Sequence, residues 1–283
     1  MCTPLQKLMS TLKTASAIRA TIARSSTQAV STTHAMLLWC LLMACLATPS
    51  QALASAPEAK HGVAIPVLNY HSIGVAPGNT YVLHPDTFAR QMDYLATHHY
   101  TPLTLDEFAS VLSHKMPSPA HPVLLTFDDG YANNAEVALP ILQQHGFPAT
   151  LYVSTGLVNT PGYLTWPQIH ELSAAGWDIA SHTVTHPHLP KLSKKAQREE
   201  ILAARAKIEQ ELGKPADTFA YPYGEYDRTT LKLLRKAKFR YAFTILEGWA
   251  TSDQPTLELH RIVVDSQKTF EDWVQQLTED TSK

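Results

Sequence analysis

The chain has 283 residues, 23 Lys and Arg against 25 Asp and Glu, and a formal net charge of −2. This length suits one large α/β domain or two small ones. A basic run around Lys194 continues into Glu199 and Glu200, so it indicates a solvated helix face. We therefore expect no nucleic-acid partner, because such a protein needs a concentrated positive surface.

The first 54 residues predict a secretory signal peptide with a long basic n-region. No Asp or Glu precedes Glu58, whereas four Lys or Arg come before the apolar stretch Ala35–Ala47. That stretch is shorter than the roughly 20 residues that span a bilayer, and Ala52–Ala54 supplies a small-residue cleavage site. We expect an exported protein that is periplasmic, extracellular or associated with the cell envelope. Its mature part, residues 55–283, should carry no transmembrane segment.

A second processing site lies in the same segment as an alternative. Leu42–Cys45 resembles a bacterial lipobox, which would leave Cys45 as a lipidated N-terminus and give the protein a lipid anchor. The cysteines are Cys2, Cys40 and Cys45. Cleavage after Ala54 would therefore leave a chain without thiols and without disulfides.

Beyond about residue 60, strand-like and helix-like segments alternate. Short apolar runs predict seven strands, at residues 64–69, 123–127, 150–153, 177–180, 218–221, 241–245 and 261–264. Apolar residues recur at helical spacing between most of them. Residues suited to begin these helices are Asp86, Thr104, Thr165 and Ser193, and Gly146, Gly176 and Gly213 are suited to end them. The alternation predicts parallel strands in a closed or nearly closed α/β barrel, with its chemistry at the carboxyl ends of the strands.

Two adjacent acids, Asp128 and Asp129, follow the predicted strand at 123–127 within the segment Thr126–Tyr131 (TFDDGY). Two carboxylates at a strand end repel and desolvate each other unless a cation or a proton offsets their charge. The pair therefore indicates a metal site, with a solvated Asp-Asp-Gly turn as the alternative.

Two histidines, His182 and His186, follow another predicted strand in the segment Ser181–His186 (SHTVTH). If the chain curls back after the strand, this spacing can place both imidazoles around one ion. The alternative, in a chain with 14 histidines, is a pair of surface residues. With one acid of the pair they make a three-ligand site that leaves positions for water and substrate. The second acid is then free to act as a general base.

Two further strand ends complete the candidate site. Tyr221, Pro222 and Tyr223 suit the stacking of a sugar ring and the presentation of a backbone N–H to an oxyanion, with a surface turn as the alternative. His71 follows the first strand and would share the rim of the barrel with the acids. This position favours a general acid, although a lone histidine after a strand is more often structural.

The three motifs resemble the signatures of the polysaccharide deacetylase family, also called the NodB-homology family or carbohydrate esterase family 4. The resemblance runs from about Ile65 to Val264, and the motifs occur in the family's order. It implies a distorted (β/α)7 barrel and a catalytic domain in residues 55–283. It also implies N-deacetylation of a polymer that contains N-acetylhexosamine.

The same resemblance implies roles for individual residues. Asp128 would be the catalytic base, and Asp129, His182 and His186 would hold one divalent metal ion. Zinc is the first expectation for that ion, with cobalt and nickel as alternatives.

Some family features are missing from this chain. The third motif has Ala220 near the position of the usual Arg, and Leu257–His260 does not reproduce the family's Leu-x-His motif. These departures resemble the branch that acts on poly-N-acetylglucosamine in biofilms, where a Tyr-His element near the N-terminus supplies the acid. They favour His71 as the acid and leave His260 in reserve. Arg261 is a candidate to replace the lost Arg.

The resulting hypothesis is metal-dependent N-deacetylation of poly-β-1,6-N-acetylglucosamine with release of acetate. Peptidoglycan and chitooligosaccharides are the alternative substrates. A glycan-binding module that no longer turns over is the alternative class of protein, and the complete Asp and His set argues against it.

Overall fold

A curled sheet of parallel strands forms the centre of the computed structural model, which describes residues 62–279. In chain order the strands are β1 (Ala64–Ile65), β2 (Val67–Tyr70), β3 (Ser72–Ile73), β4 (Val82–Leu83), β5 (Thr101–Pro102), β6 (Pro122–Asp129), β7 (Thr150–Val153), β8 (Asp178–Ser181), β9 (Thr218–Ala220), β10 (Tyr241–Phe243), β11 (Ala250–Thr251) and β12 (Ile262–Val263). The α-helices are α1 (Pro85–Thr97), α2 (Leu105–Leu112), α3 (Leu139–His145), α4 (Trp166–Ala174), α5 (Lys194–Leu212), α6 (Arg228–Lys236) and α7 (Phe270–Thr278). The predicted signal peptide and the alternative lipid site at Cys45 lie outside the described residues.

The strand order confirms the predicted distorted α/β barrel. Parallel neighbours run in the order β10, β9, β8, β7, β6, β2 and β12, and β5 pairs with the start of β6. Each of the seven predicted strands is represented in this path. Leu259 hydrogen-bonds through its backbone to Ala242 and Thr244 of the β10 edge, while β12 pairs with β2. The segment from Leu259 to β12 therefore brings the two edges of the sheet together.

Alternation along β6 divides its side chains between two environments. Val123, Leu125 and Phe127 pack into the large apolar cluster that also contains residues of helices α1, α3 and α4. Leu124 belongs to a second cluster, with Tyr152 and Phe243 of other strands. Because side chains alternate along a strand, Thr126 and Asp128 face the same side as Leu124. The apolar interior therefore ends in polar residues at the carboxyl end of β6.

Most of the predicted helix starts agree with the structure. Thr104 and Thr165 form capping boxes, and the Ser193 side chain accepts a hydrogen bond from the Ala196 N–H. Asp86 is wrong as a cap. The cap of α1 is His84, whose Nδ1 accepts from the Asp86 N–H at 3.2 Å, because Pro85 occupies the first helical position.

Between residues 62 and 279 no helix combines the length and the apolar character that crossing a bilayer requires.

Candidate active site

The carboxyl ends of the central strands open into a cleft of about 480 Å³. Side chains that the sequence analysis singled out meet there, among them Asp128, Asp129, His182, His186 and His71. They come from the ends of β2, β6 and β8 and from the segment after β8. This is the end of a parallel barrel at which catalytic groups gather.

Both acids reach the same cleft because the backbone turns between them. Adjacent side chains in a regular strand point to opposite faces, but Asp129 has a positive φ of 74°. The Gly130 N–H donates to the Asp128 carbonyl at 3.0 Å and closes a tight turn around Asp129. Gly130 also has a positive φ, and a Cβ there would lie 2.9 Å from Val153 Cγ2. The glycine of the motif therefore allows the turn that presents Asp129.

Asp129, His182 and His186 form a candidate metal centre. The Oδ1 atom of Asp129 lies 3.4 Å from His182 Nε2 and 3.3 Å from His186 Nε2, and one ligand atom from each residue lies within 4.8 Å of the others. Asp129 Oδ1 is buried and has no hydrogen-bond partner. One carboxylate and two imidazoles are a donor set suited to zinc and similar divalent ions, and an ion between them would satisfy this oxygen.

The His182 ring is oriented by a second contact. Its Nδ1 lies 2.7 Å from the Ala220 carbonyl oxygen, so the N–H is on Nδ1 and Nε2 is free to ligate. His186 is brought back to the same place by two residues with positive φ, Thr183 (68°) and His186 itself (54°). The chain thus curls back after β8, as two ligands at this spacing require.

The acidic and imidazole groups at this centre shift one another's pKa. Burial opposes ionisation of Asp129, but the close approach of the His182 ring holds the pKa of that carboxyl below its usual value. Burial lowers the pKa of His182, and the two Asp carboxylates outweigh it and raise this pKa above the usual histidine value. For His186, burial and the neighbouring His182 lower the pKa.

Asp128 is held by a fully buried arginine. Arg261 Nη1 donates to Asp128 Oδ1 at 2.9 Å and Nη2 donates to Oδ2 at 2.7 Å. The same guanidinium donates to the Thr244 carbonyl and the Thr126 hydroxyl. Burial alone would raise the pKa of Asp128, but Arg261 and His182 hold it well below the usual range. Arg261, the candidate replacement for the Arg missing near Ala220, thus pairs with Asp128 through both of its Nη atoms.

His71 lies in the cleft, whereas His260 is not among its lining residues. The His71 ring packs against Tyr81 with centroids 4.8 Å apart, and its Nδ1 is buried without a hydrogen-bond partner. Burial lowers the pKa of His71, and this effect outweighs the attraction of Asp128 and Asp129. Of the two candidate acids, His71 is the one that the structure brings to the carboxylates.

The segment Tyr221–Tyr223 divides between the core and the cleft. Tyr221 is fully buried and its hydroxyl donates to the Leu257 carbonyl at 2.7 Å, so its ring cannot stack on a sugar. Pro222 is buried in the short turn after β9 and is not among the lining residues. Tyr223 is 48% exposed, lines the cleft and stacks on His188 at 4.1 Å. Tyr221 and Tyr223 both line the cleft, and of the two only Tyr223 has an exposed ring that a sugar could stack on.

Sequence reasoning missed several aromatic residues of the cleft. Tyr131 and Tyr163 stack with centroids 5.2 Å apart, and both line the cleft, as does Tyr81. Burial and the nearby Asp129 raise the pKa of the Tyr131 hydroxyl. Tyr131 ends the TFDDGY segment and could have been proposed from it, but no local pattern indicates Tyr81 or Tyr163.

Zinc should stabilise the protein through the candidate centre. A ligand that binds only the folded state at 100 times its Kd adds about 2.7 kcal/mol to the free energy of unfolding. We expect His186→Ala to lose most of this gain, measured by denaturant unfolding with and without zinc. His170→Ala, which changes a half-exposed histidine paired with Glu211, is the control and should keep the gain. Equal zinc stabilisation of both variants would contradict the assignment.

Gly224 should be required for the turn that carries Tyr223. It has φ of 68°, and a Cβ there would collide with Ile245 Cγ1 and lie 2.9 Å from the Ile245 backbone nitrogen. Gly213 has a similar φ of 64° but open space around it. Gly213→Ala should therefore cost only the left-handed strain, about 1 kcal/mol, and Gly224→Ala about 1 to 3 kcal/mol more. Equal losses in the free energy of unfolding would show that the turn tolerates a side chain.

The chain is similar to known polysaccharide deacetylases. The family model "Polysaccharide deacetylase" matches residues 115–242. YxkH of Bacillus subtilis (strain 168), which is assigned to the polysaccharide deacetylases, is 31% identical over 200 residues, or 71% of each chain. The poly-beta-1,6-N-acetyl-D-glucosamine N-deacetylase of Staphylococcus aureus (strain MRSA252) is 29% identical over 205 residues, 68% of this chain and 70% of the relative.

A solved structure agrees with this relationship. The Streptococcus pyogenes deacetylase PplD, solved in complex with acetate, matches with a TM-score of 0.73 and 31% identity, over 76% of this chain and 99% of that chain. The chain belongs to the polysaccharide deacetylase family. It is a hydrolase that acts on carbon–nitrogen bonds, and its fold is the NodB-homology fold.

Proposed function

We propose that this deacetylase is a zinc-dependent, exported enzyme that removes acetyl groups from poly-β-1,6-N-acetylglucosamine. The observation that carries the proposal is the division of the acid pair: Asp129 faces two imidazoles, while Asp128 is held apart by Arg261. The Staphylococcus aureus relative supports this choice of polymer. Export rests on the signal-peptide pattern in residues 1–54, and cobalt or nickel are alternatives for the metal.

The side chains can share the steps of amide hydrolysis. A divalent metal held by Asp129, His182 and His186 would supply Lewis acidity for water and the acetamide carbonyl. Asp128 accepts a proton from the attacking water; each of its oxygens keeps a lone pair beyond the bond from Arg261. His71 donates a proton to the departing amine from its imidazolium form. Because burial lowers the pKa of His71, this form requires a proton supplied within the site, and the proton that Asp128 takes from the water is the one available. The carbon–nitrogen bond breaks, the acetyl group leaves as acetate, and the sugar keeps its nitrogen as a free amine.

Arg261 fits a role in keeping Asp128 ready for this step. The bidentate pair fixes the plane of the carboxylate, and the lowered pKa keeps it ionised at neutral pH. The Tyr223 backbone amide, in a residue with φ of 58°, is the proposed donor to the oxyanion. The exposed rings of Tyr223 and Tyr81 flank the cleft and suit the apolar faces of sugar rings.

Acetate release from defined polymers tests the substrate. The purified protein with zinc should release more acetate from β-1,6-linked N-acetylglucosamine oligomers than from chitooligosaccharides or peptidoglycan. A preference for one of the other polymers would reject the proposed substrate and keep the deacetylase. Binding of glycan without acetate release from any of them would favour the non-catalytic module.

A further inference from the structure

The backbone between the two histidine ligands is held on both sides. On one side, groups that follow β7 donate hydrogen bonds to three consecutive carbonyls of this segment. The bonds run from Ser154 Oγ to His182 (3.0 Å), from Thr155 N to Thr183 (3.2 Å) and from Gly156 N to Val184 (2.8 Å). A Cβ at Gly156 would lie 2.7 Å from the Val184 oxygen, so the two segments are in close contact.

On the other side, a single carboxylate from helix α5 accepts hydrogen bonds from N–H and O–H groups of the segment. Glu200 Oε2 accepts from the Val184 N–H and the Thr185 N–H, each at 2.9 Å. Glu200 Oε1 accepts from the Thr185 hydroxyl at 2.8 Å. The next amide, that of His186, donates to Thr183 Oγ1 at 3.1 Å. Glu200 thus binds the two consecutive amides that lie midway between the ligands.

This segment needs such support because its conformation is unfavourable. Thr183 and His186 both have positive φ, and Thr183 is β-branched. Residues in such conformations carry backbone strain and persist when their surroundings determine them. Without the Glu200 carboxylate, two amides would lose their acceptor, and the backbone before His186 would be held from the β7 side alone.

We propose that Glu200 is a positioning residue that sets the metal affinity of the deacetylase by holding the backbone between His182 and His186. The inference rests on the proposed function, because it needs the metal centre at Asp129. Glu200 ligates no metal in this arrangement; it acts on the site through the backbone. Outer groups that orient metal ligands change affinity by about 10- to 100-fold when they are removed.

The test compares the zinc affinity of the whole protein and its variants by competition with a chromophoric chelator. Glu200→Ala removes all three bonds, and Glu200→Gln keeps the shape and one acceptor oxygen. Glu199→Gln is the matched control, because Glu199 is the exposed neighbour and pairs only loosely with Lys195 at 3.9 Å. The unfolding temperature of each metal-free variant is measured alongside, so that a loss of fold is recognised.

We expect the zinc Kd to rise about 10- to 100-fold in Glu200→Ala, by less in Glu200→Gln, and not at all in Glu199→Gln. Acetate release by Glu200→Ala should return when zinc is raised to saturation. An unchanged zinc Kd in folded Glu200→Gln and Glu200→Ala would overturn the proposal, even if both unfold at lower temperature. If the wild type binds zinc but releases no acetate, the proposed reaction fails, while the shift in Kd still decides the role of Glu200.

Discussion

Replacing Asp128 by Asn should lower kcat for acetate release by about 100- to 10,000-fold, the usual contribution of a general base. Asn cannot accept the proton of the attacking water, and it offers Arg261 one acceptor oxygen where Asp128 offers two. The three groups of the candidate metal centre are unchanged by this substitution. The expected result is a folded protein that still binds zinc and turns over very slowly.

Two measurements make this result specific. Zinc content of Asp128→Asn should equal that of the wild type, and Asp253→Asn, which changes an exposed carboxylate, should leave kcat unchanged. Wild-type turnover in Asp128→Asn would reject Asp128 as the base. Loss of bound zinc together with activity would instead place Asp128 on the metal.

Replacing Arg261 by Met should cost about 3 to 5 kcal/mol of the free energy of unfolding at neutral pH, the usual range for breaking a buried ion pair. Arg261 and Asp128 are almost completely buried, so the variant leaves a carboxylate without its counter-charge. Arg240→Met is the matched control, since Arg240 binds Asp106 and Asp217 at the surface. A surface pair contributes about 1 kcal/mol or less, and equal losses in both variants would contradict the account.

Arg261→Met should also change how stability and kcat/KM depend on pH. In the wild type the pKa of Asp128 is lowered, so the pair's contribution to stability is complete above the unfolded carboxyl pKa of about 3.9. It is lost as the pH falls through the lower folded value. Without Arg261, burial is opposed only by His182 and His71, so the pKa of Asp128 should rise and the acid limb of kcat/KM should move to higher pH. An acid limb that stays in place in Arg261→Met would show that another group controls it.

The sequence alone predicts the strands of the sheet and the strand ends at which the candidate catalytic residues lie. Buried parallel strands are short apolar runs, and residues 123–127 and 150–153 are clear examples of this pattern. The acids and histidines follow such runs directly, so their meeting at one end of a barrel could be expected. Helix α7 was not predicted, although the structure buries its residues Trp273 and Leu277.

Contacts between distant segments could not be predicted in this way. Arg261 lies 133 residues from Asp128, and their pairing depends on how the last strand joins the two edges of the sheet. The local sequence favours a solvated helix face for Glu200, because nothing in it shows that α5 faces the segment after β8. Tyr221 and Tyr223 lie two residues apart, and only the turn after β9 decides that one ring is buried and the other exposed.

One metal ion, held by Asp129, His182 and His186, is the proposed requirement for deacetylation by this chain. The most direct test is a titration of zinc into the chelator-treated protein, with bound metal and acetate release measured on the same samples. We expect acetate release from β-1,6-linked N-acetylglucosamine oligomers to rise with bound zinc and to level off at one ion per chain. Full acetate release before zinc is added, or no release at one bound ion, would contradict the claim.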